Sequence, residues 1–213
     1  MHLIVFTDID GTLIDHETYS FEAAKPALAA LKARGAHVVL ASSKTAAEME
    51  ALRRDMGVES SPAIVENGAG VLPPDVETAR SVSVYDDLLK RLNALPADLR
   101  RHYSSFSQWD DEEVSRRTGL PKEGARLAKQ RQYTEPGVWS GSDQDLDLFL
   151  KTLSQQGVTA RRGGRFLTLS LGGTKAERMS DALALCDLDR DKTIVVALGD
   201  APNDAEMLAA ADY

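Results

Sequence analysis

Three short, uninterrupted apolar runs, Leu3–Phe6, Val38–Ala41 and Ile194–Leu198, constrain the fold of this 213-residue chain more than any other feature. Runs without polar alternation are strands buried on both faces, which requires a parallel sheet covered by helices. Helical patterns follow the first two. Glu22–Arg34 carries Ala27, Leu28, Ala30 and Leu31 on one side, keeps Pro26 near its first turn and meets Gly35, which suits a left-handed cap. The second pattern opens with Thr45-Ala46-Ala47-Glu48, a capping box in sequence terms, runs through Met49, Leu52 and Met56 and closes at Gly57. This β-α-β-α punctuation predicts a three-layer α/β core with a mostly parallel sheet.

From about Ser81 the texture changes. Strand-like fragments at Ser81–Tyr85, Tyr103–Gln108, Gly137–Ser140 and Phe166–Leu171 alternate with polar helices at Asp86–Leu95, Asp111–Thr118, Lys122–Gln132 and Asp143–Gln155. Half-polar strands belong to an antiparallel sheet with one wet face. The core pattern then returns with a helix at Thr174–Asp187, a strand at Thr193–Leu198 and a helix at Asp204–Ala211. The expected organisation is a Rossmann-like core at 1–80 and 165–213, split by an inserted α+β cap domain at 81–164.

With 25 Lys+Arg against 33 Asp+Glu, the net charge is −8. That argues against nucleic acid, which needs a basic face to displace counterions, and against anionic membranes. The apolar run after Met1 is too short for a signal or spanning helix, and the single cysteine, Cys186, ties nothing to an oxidising compartment. A cytoplasmic protein is expected. Cys186 follows Leu183 at helical spacing and reads as a core residue, and His16 as a loop residue.

The chain has no G-x-x-x-x-G-K-[ST], H-E-x-x-H or G-x-S-x-G motif. What remains is carboxylate chemistry. Asp8-Ile9-Asp10-Gly11-Thr12 ends the first strand, where open α/β sheets place their ligands. Gly199-Asp200-Ala201-Pro202-Asn203-Asp204 ends the last strand. In that segment Asn203 with Glu206 would cap the following helix, which leaves Asp200 unexplained. If the two strands are neighbours, Asp8, Asp10, Asp200 and Asp204 share one crevice. Four such charges are costly unless cations or protons offset them, and all-oxygen ligands suit Mg²⁺. Lys175 is the candidate counter-charge, since Thr174-Lys175-Ala176-Glu177 puts it in a first helical turn where it opposes the macrodipole. A divalent ion and this one lysine still leave about one negative charge, which protonating a carboxylate would remove. Ser42 and Ser43, at the second strand's end beside a helix N-terminus, suit phosphate oxygens, although serines also belong in loops.

In this order, Asp8-x-Asp10-Gly11-Thr12, a serine at the second strand end, Lys175 and Gly199-Asp200-x-x-Asn203-Asp204 resemble the four motifs of the haloacid dehalogenase superfamily. More narrowly, Phe6–Phe21, Ser42-Ser43-Lys44-Thr45, Val65-Glu66-Asn67-Gly68 and Arg131-Gln132-Tyr133-Thr134-Glu135-Pro136 resemble the mannosyl-3-phosphoglycerate phosphatase family. The resemblance implies a Mg²⁺-dependent phosphatase. Asp8 would form an aspartyl-phosphate, and Asp10 would act as acid and then base. Asp8, the Asp10 carbonyl and Asp200 would hold Mg²⁺, supported by Asp204 and Asn203. Lys175 and Ser42 or Ser43 would balance phosphoryl charge.

The implied substrate is a small phosphorylated sugar-glycerate, mannosyl or glucosyl, or another sugar phosphate. The insertion would set specificity as a cap that excludes water when closed. The substrate's carboxylate asks for an arginine, and Arg131 and Arg165 are the candidates. Arg165 also reads as part of a solvated basic hairpin, Arg161-Arg162-Gly163-Gly164-Arg165. Glu66, Asn67 and Gly68 would touch sugar hydroxyls, or form a hairpin turn alone. Trp109 and Trp139 read as packing first and sugar platforms second. A phosphomutase and a catalytically silent binding protein are the readings from other classes. Phosphatases of this type usually continue with a further strand and helix beyond the point where this chain stops at Tyr213. An unfinished sheet edge would invite a partner chain, so a monomer or a homodimer is expected.

Overall fold

The computed structural model describes residues 1–15, 18, 20–75 and 83–213. The expectation for His16 and the first two residues of the fragment expected at Ser81–Tyr85 lie outside them. Contacts divide the chain into two units, Met1–Thr78 with Gly173–Tyr213, and Ala79–Gly172.

The first unit contains β1 (His2–Thr7), α1 (Lys25–Ala33), β2 (His37–Ala41), α2 (Ala46–Met56), β3 (Ala63–Val65) and β4 (Gly70–Leu72). The second contains α3 (Ser83–Asn93), α4 (Ala97–Arg100), β5 (Tyr103–Ser105), α5 (Asp111–Thr118), α6 (Lys122–Ala128), β6 (Thr134–Trp139), α7 (Asp143–Gln155), β7 (Thr159–Gly163) and β8 (Phe166–Ser170). The chain then completes the first unit with α8 (Glu177–Leu185), β9 (Thr193–Leu198) and α9 (Ala205–Ala210).

The first unit's sheet runs β4-β3-β2-β1-β9, parallel except for the β3–β4 hairpin. The chain winds from β1 out to β2 on one side and returns at β9 on the other. That makes the β1–β9 boundary a topological switch point, where a crevice opens beyond the strand ends. Ile4 and Phe6 face a cluster with Val39, Ile64, Met179, Leu183, Val195 and Met207, which brings in α8 and α9. By strand alternation Val5, Val38 and Leu40 face the other way, and they are buried too. There α1 packs on β2 and α2 on β3. Both faces of β1 and β2 are covered, as their uninterrupted apolar runs require, whereas β9 stands at the sheet edge with Ile194 and Val196 half-buried and Leu198 exposed, a correction to the two-face burial expected of its run. The capping box of α2 is present, with Glu48 N donating to Thr45 Oγ1 at 3.2 Å and Thr45 N to Glu48 Oε2 at 2.8 Å. Asp212 N donates to Val195 O at 2.8 Å and Ala197 N to Tyr213 O at 2.9 Å, along the outer edge of β9.

The second unit has an antiparallel sheet, β5-β6-β8-β7. Its core joins Leu88, Leu92, Tyr103, Phe149, Leu153 and Leu169, with a smaller cluster around Phe106, Trp109 and Val114. Two expectations need correction here. The strand expected at Ser81–Tyr85 is helical from Ser83, because Tyr85, Leu88, Leu89 and Leu92 recur at helical spacing and pack on that core. The strand expected at Tyr103–Gln108 stops at Ser105, where Gln108 N turns back to Ser105 O and Ser107 N donates to the Glu135 carboxylate. The solvated basic hairpin read at 161–165 is present, closed by β7 and β8 through Gly163↔Phe166, but the strand β7 itself is not expected from the sequence. It is an exposed edge with no apolar alternation to reveal it. Among the described residues no helix is long and apolar enough to cross a membrane.

Candidate active site

Strand register sets the height of every acidic group. Thr7 pairs with Leu198 in parallel, and Asp8 N donates to Leu198 O at 2.9 Å, so Asp8 and the Gly199-Asp200 segment leave the sheet side by side. Gly199 is required by close approach. A Cβ there would lie 2.5 Å from the Asp204 Cβ, so any side chain would push Asp204 away. Asp204 is fully buried and ties the loop to itself, its Oδ2 accepting Ala201 N at 3.1 Å. This displaces the cap expected from Asn203, whose Nδ2 instead donates to Asn67 Oδ1 at 3.2 Å.

Lys175 is 2% exposed, and its Nζ donates to Asp8 Oδ1 and Asp204 Oδ1, each at 2.6 Å. Lys175 lies in the turn before α8 and not in its first helical turn as expected, and reciprocal bonds fix the chain around it: Glu177 N to Thr174 Oγ1 at 3.1 Å and Thr174 N to Glu177 Oε2 at 3.0 Å. One oxygen from each of Asp8, Asp200 and Asp204 lies within 4.8 Å of the others, with Asp200 the exposed member. Burial holds the Asp8 carboxyl above the ordinary carboxylate range; Lys175 pulls it down, and Asp204 and Asp10 push it up. An all-oxygen set of three carboxylates with a buried, destabilised member fits a hard divalent cation such as Mg²⁺. The Thr12 hydroxyl lies 3.5 Å from Asp200 Oδ1, a neighbour the sequence reading did not assign.

The Asp10 carboxylate stands apart from this set and takes Lys44 Nζ on both oxygens, at 3.0 and 2.7 Å. No local motif assigns Lys44 this partner. The signal was there in the charge arithmetic, which left one negative charge over. With two lysines, a divalent ion balances all four carboxylates.

Ser42 is buried and Ser43 exposed. Ser42 accepts Lys44 N on Oγ at 3.3 Å and Asn67 N on its carbonyl at 2.8 Å. The Glu66-Asn67-Gly68 segment does turn the β3–β4 hairpin, with left-handed φ of 51°, 59° and 92° in succession. Two such non-glycine residues in a row are strained backbone, and Glu66 is 1% exposed. Thus Asp8, Asp10, Ser42, Ser43, Glu66, Asn67, Gly68, Lys175, Asp200, Asn203 and Asp204 all lie in the first unit.

Arg131 and Arg165 lie in the second. Arg131 is buried, and its Nη2 donates to Thr134 Oγ1 at 2.5 Å. Arg165 donates to the carbonyls of Arg117 and Thr118 at 3.0 and 2.8 Å, closing the C-terminal end of α5. Trp109 is buried under Phe106 and Phe166, and Trp139 lies 4.7 Å from Phe149, centroid to centroid. Burial pushes the Cys186 thiol up to about 11, and Cys186 packs on the first unit's core.

Residues 5–112 match the haloacid dehalogenase-like hydrolase family. A curated protein of Persephonella marina, named glucosyl-3-phosphoglycerate/mannosyl-3-phosphoglycerate phosphatase, is 31% identical, over 99% of this chain and 82% of its own. Among solved structures, a phosphatase of the haloalkanoate enzyme superfamily from Bacteroides thetaiotaomicron aligns with a TM-score of 0.73 at 20% identity, over 99% of this chain and 82% of its own. A hypothetical protein from Geobacillus kaustophilus aligns with a TM-score of 0.70 at 20% identity, over 99% and 85%.

Proposed function

The chain belongs to the haloacid dehalogenase-like hydrolases as one of their phosphatases, and from that premise we propose that it hydrolyses mannosyl- or glucosyl-3-phosphoglycerate, releasing phosphate through an aspartyl-phosphate on Asp8. The observation that carries the reading is Lys175 bridging Asp8 and Asp204 beside Asp200, at the carboxyl ends of two neighbouring parallel strands.

In this reading an Asp8 carboxylate oxygen attacks phosphorus, and the bond to the sugar-glycerate oxygen breaks. Asp10 protonates that oxygen as it leaves. Water then attacks the phosphorus of the acyl phosphate and gives its proton to Asp10, which frees phosphate and restores Asp8. Lys175 holds the attacking carboxylate in place and offsets phosphoryl charge, as do the Ser42 or Ser43 hydroxyls. Mg²⁺, held by Asp8, Asp200 and the Asp10 carbonyl with Asp204 in support, would neutralise phosphoryl oxygens when bound. Asn67 and Asn203, joined side chain to side chain, are suited to sugar or phosphate oxygens, with Glu66 and Gly68 shaping the same turn. Arg131 is offered as the partner of the substrate's carboxylate. Arg165, committed to two helix carbonyls, is the weaker candidate.

The test is phosphate release from mannosyl-3-phosphoglycerate, glucosyl-3-phosphoglycerate and simple sugar phosphates, with Mg²⁺ and with EDTA. The expected result is Mg²⁺-dependent release favouring the glycosyl phosphoglycerates, lowered at least about a thousandfold by Asp8→Asn. Equal turnover of every compound would refute the substrate class and leave the phosphatase standing. A need for a bisphosphate primer, with little free phosphate, would identify a mutase instead.

A further inference from the structure

Lys175 grips the attacking carboxylate, yet it does not touch the acid. Both oxygens of Asp10 go to a different lysine, Lys44, whose single ammonium sits 3.0 Å from Oδ1 and 2.7 Å from Oδ2. A donor shared between two oxygens fixes the distance of the carboxylate and points its Cβ–Cγ bond at the ammonium. Lys44 is itself held at the main chain on both sides. Its N–H donates to Ser42 Oγ at 3.3 Å, its carbonyl accepts Glu66 N at 3.0 Å, and the next residue, Thr45, caps α2. The ammonium therefore swings from a pinned backbone, and its side chain is only 20% exposed. An ordinary surface pair has none of this support and contributes little.

We propose that Lys44 is a positioning residue for Asp10, which it holds at the end of β1 so that the acid's proton meets the departing sugar-glycerate oxygen rather than solvent. The inference rests on the reading of Asp10 as acid and base given above. It adds a residue that acts through Asp10, separate from the phosphate contacts of Ser42, Ser43 and Lys175. The bond cleaved and the proton moved are those already written, so no further reactant is needed.

The test compares kcat/KM for two substrates: p-nitrophenyl phosphate, whose leaving group departs without a proton, and the alkyl phosphate turned over best in the panel above. kcat/KM reports phosphoryl transfer to Asp8, so the later hydrolysis step does not mask the comparison. Asp10→Asn is expected to lose roughly 10²–10⁴-fold on the alkyl phosphate and far less on p-nitrophenyl phosphate. Lys44→Met should lose on the order of tenfold or more on the alkyl phosphate and little on the aryl one. Lys44→Arg should recover most of that loss, and Lys44→Met added to Asp10→Asn should cost nothing more. Circular dichroism and thermal midpoints check that each variant is folded, and Lys44→Gln, with the same expected losses as Lys44→Met, carries the test if Lys44→Met is not.

Equal losses on both substrates would overturn the proposal, since that is the signature of phosphate binding or of fold support. So would an undiminished Lys44→Met. If Asp10→Asn discriminates between the substrates and Lys44→Met does not, the Lys44 inference fails alone. If Asp10→Asn does not discriminate either, the acid–base reading fails and takes Lys44 with it.

Discussion

At the scale of single residues, the site is an arrangement of charges that cannot be removed one at a time. Lys175 is 1% exposed at its side chain and touches two carboxylates, one of them fully buried. Replacing it with Met leaves Asp204 charged in the interior, or forces it to take up a proton. Removing one partner from a buried pair costs about 3–5 kcal/mol, far above the worth of a surface pair. Lys175→Met is therefore expected to lower the denaturant midpoint strongly as well as abolish phosphate release. The double variant Lys175→Met/Asp204→Leu should recover much of the stability and none of the activity. A Lys175→Met protein as stable as the parent would show that the two carboxylates are not charged around it. The acidic pair at each strand end and the lysine between them are legible in sequence, because each is local to a strand or helix end. The Lys44–Asp10 pair is not, because it joins residues 34 apart that no periodicity connects.

At the scale of elements, the turn Glu66–Gly68 and the lead into α8 interlock. Gly68 has φ +92°, and a Cβ on it would lie 2.0 Å from the Thr174 carbonyl carbon and 2.4 Å from Lys175 N. Backbone cannot yield as a side chain can, so Gly68→Ala must displace either the turn or the segment that carries Lys175. The expected cost is roughly 2–5 kcal/mol from conformational strain and overpacking together, with a clear loss of kcat. Gly35→Ala is the control. It too has a left-handed φ, +67°, but nothing lies within 4 Å, so a cost of about 1–2 kcal/mol with unchanged kcat is expected. Urea titration and phosphate release on the same preparations separate the two cases. If both variants behave alike, the interlock has no bearing on the site. Sequence reveals that Asn67-Gly68 turns a hairpin between apolar runs, but not that this turn abuts a segment more than a hundred residues later. In the first unit β1 and β2 are equally legible, since burial on both faces writes itself as unbroken hydrophobicity, and β9 is legible as an apolar run although one of its faces is only half-covered. β7 is not, because an exposed edge strand leaves its composition free.

At the scale of the whole molecule, Asp8, Asp10, Asp200, Asp204 and the two lysines that pair with them belong to the unit Met1–Thr78 with Gly173–Tyr213, while Ala79–Gly172 has hydrophobic clusters of its own. A ligand stabilises only what binds it. At a hundred times its dissociation constant Mg²⁺ would add about 2.7 kcal/mol to the unit that holds it, which is roughly 10 °C or more for a unit of this size. Differential scanning calorimetry with and without Mg²⁺ is thus expected to resolve two transitions, of which one moves. The transition that moves should stop moving in Asp200→Asn, which removes the exposed ligand without emptying the core. Phe149→Ala identifies the other transition. Phe149 is fully buried in the second unit, and its truncation costs about 3–5 kcal/mol there. The Mg²⁺-sensitive transition should be indifferent to it. A shift of both transitions by the cation, or a shift that survives Asp200→Asn, would place the dominant cation site outside the Asp8, Asp200 and Asp204 set, and the chemistry assigned to that set would have to be sought elsewhere.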